Sequence, residues 1–191
     1  MKFEATIFVE GKADEKFMCD FVMERFNYPL RPKVEIKQTK GKDSLSDFKN
    51  DFNANPFTNL VIFDADKSFH NRQSEITGKK QELSIDFNLF LFPNNSDDGD
   101  LEILLRRIIR TTNEPIFQCF KILDKCLEAI QGKMLHPLNA KTRIHNYVSI
   151  LTDDNDLAKE RNRNYRDKDH WDLQHDHLNT LFTFLEPYFK E

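Results

Sequence analysis

NLVIFDADKS, Asn59 to Ser68, is the stretch that decides how this chain folds. Leu60-Val61-Ile62-Phe63 is an unbroken apolar run that stops at Asp64-Ala65-Asp66. A run of this length reads as a strand buried on both faces, as in a parallel sheet covered by helices on each side. Two carboxylates where such a strand ends suit a hard cation, because Mg²⁺ takes one or two carboxylates together with waters and substrate phosphates. Asp and Glu are 32 of 191 residues, so roughly five acid-x-acid triplets arise by chance. The motif therefore needs support from the rest of the chain.

Upstream, Phe3 to Glu10 (FEATIFVE) is β-rich and closes in Glu10-Gly11-Lys12, where the glycine permits a tight turn. Phe17, Phe21, Val22 and Phe26 then recur at helical spacing and predict a helix from Ala13 to about Asn27-Tyr28-Pro29. Asp14 and Glu15 fall in its first turn, where the helix dipole favours acids. Val34 to Lys37 alternates and reads as a strand near a sheet edge. Asp43-Ser44 supplies an N-cap for a short helix with Leu45, Phe48 and Phe52 on its apolar side.

Downstream, His70 to Glu82 is polar without a strong period and reads as a loop or a poorly fixed helix. Phe87 to Phe92 is another buried strand, closed by Pro93-Asn94-Asn95. The acid-rich turn Ser96 to Asp100 opens into a helix with Leu101, Leu104, Leu105, Ile108 and Ile109 inward. After Thr111 the chain reads as all helical: 116–130 with Phe117, Phe120, Leu123 and Leu127 inward, then 141–151 and 178–189. Cys119 and Cys126 share a helix face, and burial is the expectation there, since no third ligand stands at zinc spacing. His170, His175 and His177 near Trp171 make an equally weak zinc set.

At 191 residues, 39% hydrophobic and 31% charged, the composition is that of a globular chain with a substantial core. The 18 Phe predict an aromatic one. Nothing in MKFEATIFVEG resembles a signal peptide, no apolar stretch approaches membrane-spanning length, and three cysteines without C-x-x-C spacing point to a reducing cytoplasm. A formal net charge of −4 gives no global attraction to nucleic acid, so phosphate contacts depend on local basic patches. The candidates are Lys33, Lys37, Lys40 and Lys42 in one segment, and Arg161 and Arg163 in another.

The order of elements predicts an α/β fold: a mostly parallel sheet of about four strands with flanking helices over 1–110, and a helical region over 111–191 packed on it. In such sheets the carboxyl ends of the strands share one edge, where ligands bind. Glu10 ends the first strand, Asp64 and Asp66 the third, and Asp98, Asp100 and Glu102 follow the fourth; Asp14 lies one helical turn after Glu10. Carboxylates so gathered repel one another unless a cation neutralises them.

Phe8-Val9-Glu10-Gly11-Lys12 followed by Ile62-Phe63-Asp64-Ala65-Asp66 resembles the paired motifs of the Toprim domain of topoisomerases, primases, repair proteins and overcoming-lysogenization-defect nucleases. The segment from Phe92 to Glu102 resembles more closely an uncharacterised family of small bacterial Toprim-related proteins. The resemblance implies Glu10 as a catalytic or metal-binding residue, Asp64 and Asp66 as metal ligands, and Asp14 with Glu102 or Asp100 completing a two-metal site for Mg²⁺ or Mn²⁺. Lys12 has two readings, a phosphate contact near the metal as part of the catalytic set, or a side chain that only meets solvent. The chain departs from the pattern at Lys67-Ser68-Phe69, where a glycine often follows the Asp-x-Asp. A small Toprim-type nuclease is thus expected, with nucleic acid as partner. Competing expectations are a non-catalytic Toprim-like module, bound to a protein partner or to a second copy, and a haloacid-dehalogenase-like phosphatase using Asp64 as nucleophile. The latter motif normally follows the first strand, and it leaves Glu10 without a task.

Overall fold

The structure is a computed structural model that describes residues 5–27, 34–54, 58–132 and 134–189. Four strands, β1 (Ala5–Val9), β2 (Val34–Gln38), β3 (Thr58–Asp64) and β4 (Asn88–Phe92), form one sheet in the order β2-β1-β3-β4. Every pairing is parallel, as the unbroken apolar runs predict. The helices are α1 (Lys12–Arg25), α2 (Lys49–Ala54), α3 (Phe69–Leu83), α4 (Leu101–Arg107), α5 (Glu114–Glu128), α6 (Ala140–Leu151) and α7 (Asn179–Leu185). β2 is an edge strand, as its alternation suggested. Among the described residues, no helix is long and apolar enough to cross a membrane.

Successive side chains of a strand point to opposite faces, and the core divides accordingly. Ile7, Val9, Leu60, Ile62, Phe90 and Phe92 pack with α1, α4, α5, α6 and the C-terminal region. Phe8, Val61, Phe63 and Leu91 face the other way, onto Leu45, Phe52, Phe69 and Ile76. The first cluster runs without a break from the sheet into Tyr147, Tyr165, Trp171 and Leu181, so the region after residue 110 shares the core of the sheet.

Four local expectations are corrected. Residues 69–83 form a regular helix, α3, because Phe69 and Ile76 lie two turns apart and bury together; two apolar anchors suffice where the sheet supplies the partner. The segment after α6 is not helical but a series of turns, fastened where Ile109 bridges Trp171 and where Asp172 N–H donates to Ile108 O at 2.7 Å. On α5, Phe117 and Phe120 take the buried face, which leaves Leu123, Cys119 and Cys126 exposed. The short helical stretch before α2 is a 3-10 turn, Lys42–Phe48, entered through Gly41 rather than capped by Asp43-Ser44.

Asp20 on α1 ties the C-terminal turns to the sheet layer. It is buried, pairs with Lys16 Nζ at 2.6 Å, and accepts the Tyr165 backbone N–H at 2.8 Å. In Asp20→Ala that N–H is left buried without its acceptor, which costs about 1–3 kcal/mol. A urea titration reads this as a lower midpoint with an unchanged slope.

A carboxylate cluster at the switch point of the sheet

β1 is followed by a move to β2 on one side, and β3 returns to the other side of β1. The crevice for ligands in a parallel sheet lies where the order reverses, here between the ends of β1 and β3. Those two strand ends carry Glu10 and Asp64. Val9 stands opposite Ile62 and Asp64 opposite Phe92, so the three chains leave the sheet at one edge.

Gly11 turns the chain into α1, and its N–H donates to Asp14 Oδ2 at 2.7 Å, holding that carboxyl under the turn. Asp64 Oδ1 accepts the N–H of Leu101, the first residue of α4, at 2.9 Å. Asp66 adopts φ 55° and exchanges two backbone hydrogen bonds of 2.7 Å with Gly99. Gly99 has φ 139°, and a Cβ there would lie 2.7 Å from Ile103 Cδ1, so this contact between the loops after β3 and β4 requires glycine.

The electrostatics follow from burial and proximity. Burial raises Asp64 to about 9, with Asp14, Glu10 and Glu102 pushing the same way against the hydrogen bond from Leu101. Burial likewise raises Asp14 to about 7, helped by Glu10 and Glu102 and opposed by the Gly11 N–H. Glu102 is raised by burial and by Asp100. Glu10 and Glu102, from the end of β1 and the start of α4, thus both bear on Asp14 and Asp64.

The sequence did not single out the cation that enters this group. Arg72, buried on α3, pairs through Nη2 with Glu10, donates from Nε to Asp64 O at 3.1 Å and lies 3.6 Å from Asp66 Oδ2. Lys141 on α6 is 2.6 Å from Glu160; Glu160 raises it most, and Glu102 and Asp14 act in the same direction. Tyr165 also senses Glu102 and Asp14, though burial dominates in raising its hydroxyl. A polar segment without clear period concealed Arg72, and no local signal marks the other two.

The remaining predicted residues divide. Asp98 and Asp100 serve as caps, accepting from Phe69 N–H at 2.7 Å and Ile103 N–H at 2.8 Å. Asp66 is exposed, as is Lys12 on the first turn of α1. Lys40 is exposed and its N–H donates to Glu10 O at 3.0 Å, which sets it close to the cluster. Lys37 is engaged by Asp51 at 2.6 Å and Glu35 at 3.5 Å. Lys33 and the Lys42 side chain lie outside the described residues. Arg161 is exposed, but Arg163 is a correction: it is 1% exposed and bonds Tyr165 Oη and Ala158 O, each at 3.1 Å. Ala158 and Tyr165 draw that part of a charged run into the core, where no phosphate reaches it.

Among the described residues, no three His, Cys, Asp or Glu side chains are drawn together as a ready-made metal site. The zinc set is accordingly not assembled: His170 is buried beside Asp167, while the His175 and His177 rings stack on each other at 4.9 Å. The carboxylate cluster fits a hard cation by donor chemistry, since it offers oxygen ligands whose repulsion and burial a divalent ion relieves. Such an ion would compete with Arg72 for Glu10.

A family model described as a protein of unknown function matches residues 4–190, from the first strand through the last helix. The chain belongs to the DUF3226 family. No curated protein and no solved structure matches it. The match spans nearly the whole chain, so in this DUF3226 protein the sheet that carries Glu10 and Asp64 and the helical region that carries Lys141 fall within one family unit.

Proposed function

We propose that this protein is a Mg²⁺- or Mn²⁺-dependent phosphotransfer enzyme, a small nuclease acting on phosphodiester bonds. The observation that carries the reading is the convergence of Glu10, Asp14, Asp64 and Glu102 at the switch point of a parallel sheet. The resemblance of the Glu10-Gly11-Lys12 and Asp64-Ala65-Asp66 segments to Toprim motifs supports it. Glu10, Asp14, Asp64 and Glu102 would hold the metal, with exposed Asp66 able to reach it from the next turn. A bound divalent cation supplies Lewis-acid polarisation of the phosphoryl group and stabilises the leaving oxygen. Lys12, Lys40 and Lys141 at the rim offset the repulsion between the cluster and an incoming phosphate. Three free cysteines suit a reducing cytoplasm.

Arg72 favours a second reading. A guanidinium already paired with Glu10 neutralises part of the cluster without metal, which suits a non-catalytic module that binds a protein partner or a second copy. The phosphatase reading gains no such support, because Asp64 ends the third strand of the chain rather than the first and that reading leaves Glu10 without a task.

Calorimetric titration with Mn²⁺, followed by a cleavage screen on plasmid, linear duplex and single-stranded DNA, separates the two. The nuclease reading expects metal-dependent cleavage that Glu10→Gln abolishes. Wild-type protein that binds Mn²⁺ at millimolar concentration no better than the Asp64→Asn/Asp66→Asn double variant overturns it. Unaltered partner binding in Glu10→Gln then marks the module.

A further inference from the structure

A cleft of about 230 Å³ opens between α4, α5 and α6. Its walls include Glu102, Arg106, Arg107, Phe117, Arg143 and Ile144, so three arginines and one carboxylate contribute to its lining. That carboxylate is itself a member of the cluster. The acids that steady the arginines, Glu114 for Arg106, Asp97 for Arg107 and Asp124 for Arg143, are not among the cleft's lining residues. Arg106 is held with its guanidinium carbon 4.2 Å from the centre of the Phe117 ring, and Arg143 is anchored by Leu138 O at 2.8 Å. Arg107 is the loosest of the three: Asp97 is 3.7 Å away, beyond hydrogen-bond reach.

We propose that this cleft is an anion-binding subsite that holds one nucleotide of a single-stranded nucleic acid beside the carboxylate cluster. Three arginines suit phosphate, which a guanidinium grips through two parallel hydrogen bonds. Ile103, Phe117 and Ile144 add an apolar side that an inorganic anion does not need but an unstacked base does. The size admits one nucleotide unit and no duplex. A protein of net charge −4 offers polyanions no global attraction, so a phosphate contact depends on a local basic lining, and Arg107, the most loosely paired of the three, is the residue to supply it. The inference rests on the nuclease reading for its substrate class, and its test uses no metal.

The probe is a fluorescently labelled oligothymidylate, followed by anisotropy in EDTA, with thymidine monophosphate and a duplex of equal length as competitors. Wild type is expected to bind the single strand, with the mononucleotide competing weakly and the duplex poorly. Arg107→Gln weakens binding about tenfold or more and lowers the slope of log affinity against log salt by about one. Asp97→Asn, which frees Arg107, tightens it; this variant keeps the test valid should Arg107→Gln misfold. Equal affinity of wild type and both variants overturns the proposal, as does a duplex competing as well as the single strand or the absence of binding. Binding through Arg107 without any response to Mn²⁺ removes the nuclease reading and leaves the subsite standing. Metal-dependent cleavage with an unaffected Arg107→Gln does the reverse.

Discussion

Asp64→Asn makes the metal-free protein more heat-stable and removes its response to Mg²⁺ or Mn²⁺. Asp64 is raised to about 9 by burial foremost, with Asp14, Glu10 and Glu102 adding to it. Each unit of such a displacement is a tenfold bias in a proton equilibrium that folding has to offset. Asparagine keeps the oxygen that accepts from Leu101 N–H, so the start of α4 stays capped, and it needs no proton taken up on folding. For a chain of this size each kcal/mol moves the midpoint by roughly 2–4 °C, and a rise of several degrees near neutral pH in EDTA is expected. Wild type gains stability on adding millimolar metal by mass action, whereas the variant, having lost a ligand, does not. Differential scanning fluorimetry with and without metal reads both effects. A midpoint that falls in EDTA shows Asp64 to be stabilising as it stands.

Alkaline destabilisation in the absence of metal is the second large effect. Asp14 and Asp64 have folded values of about 7 and about 9, well above those of an unfolded aspartate. The folded chain therefore binds more protons than the unfolded one between those limits. Stability is fully present below the unfolded value and is lost as pH rises through the folded ones. Asp86, Glu114 and Asp156 are lowered by Lys80, Arg106 and Lys159, so they are ionised in both states above about pH 6 and add no slope there. From about pH 7 to about pH 9 the urea midpoint in EDTA falls, and in Asp64→Asn most of the fall disappears. Metal binding releases the proton held by Asp64, so affinity for Mn²⁺ climbs over the same window. A wild-type midpoint that is flat or rising across it contradicts the raised carboxyls.

Much of the fold was legible in one dimension because its signals are local. Leu60 to Phe63 and Phe90 to Phe92 show their burial by lacking any polar alternation, and α1 and α4 show theirs by helical spacing. Glu10 and Asp64 are legible as site residues because a strand end fixes where the next side chain emerges. α3 was obscured because its two apolar anchors, Phe69 and Ile76, become a face only once the sheet lies beneath them. The orientation of α5 was obscured because Phe117 and Phe120 outcompete Leu123 for a core whose shape α4 and α6 decide.

For this protein the sequence by itself determined a parallel α/β sheet and acids at the exits of β1 and β3. Only the tertiary structure decided what surrounds those acids. It placed Arg72 against Glu10, gave Asp98 and Asp100 to helix caps, turned Arg163 into the core and set three arginines beside Glu102. Strand and helix patterns depend on neighbours a few residues apart. The charge of a buried carboxylate depends on groups brought within a few ångströms by chain closure, and no local pattern encodes that distance.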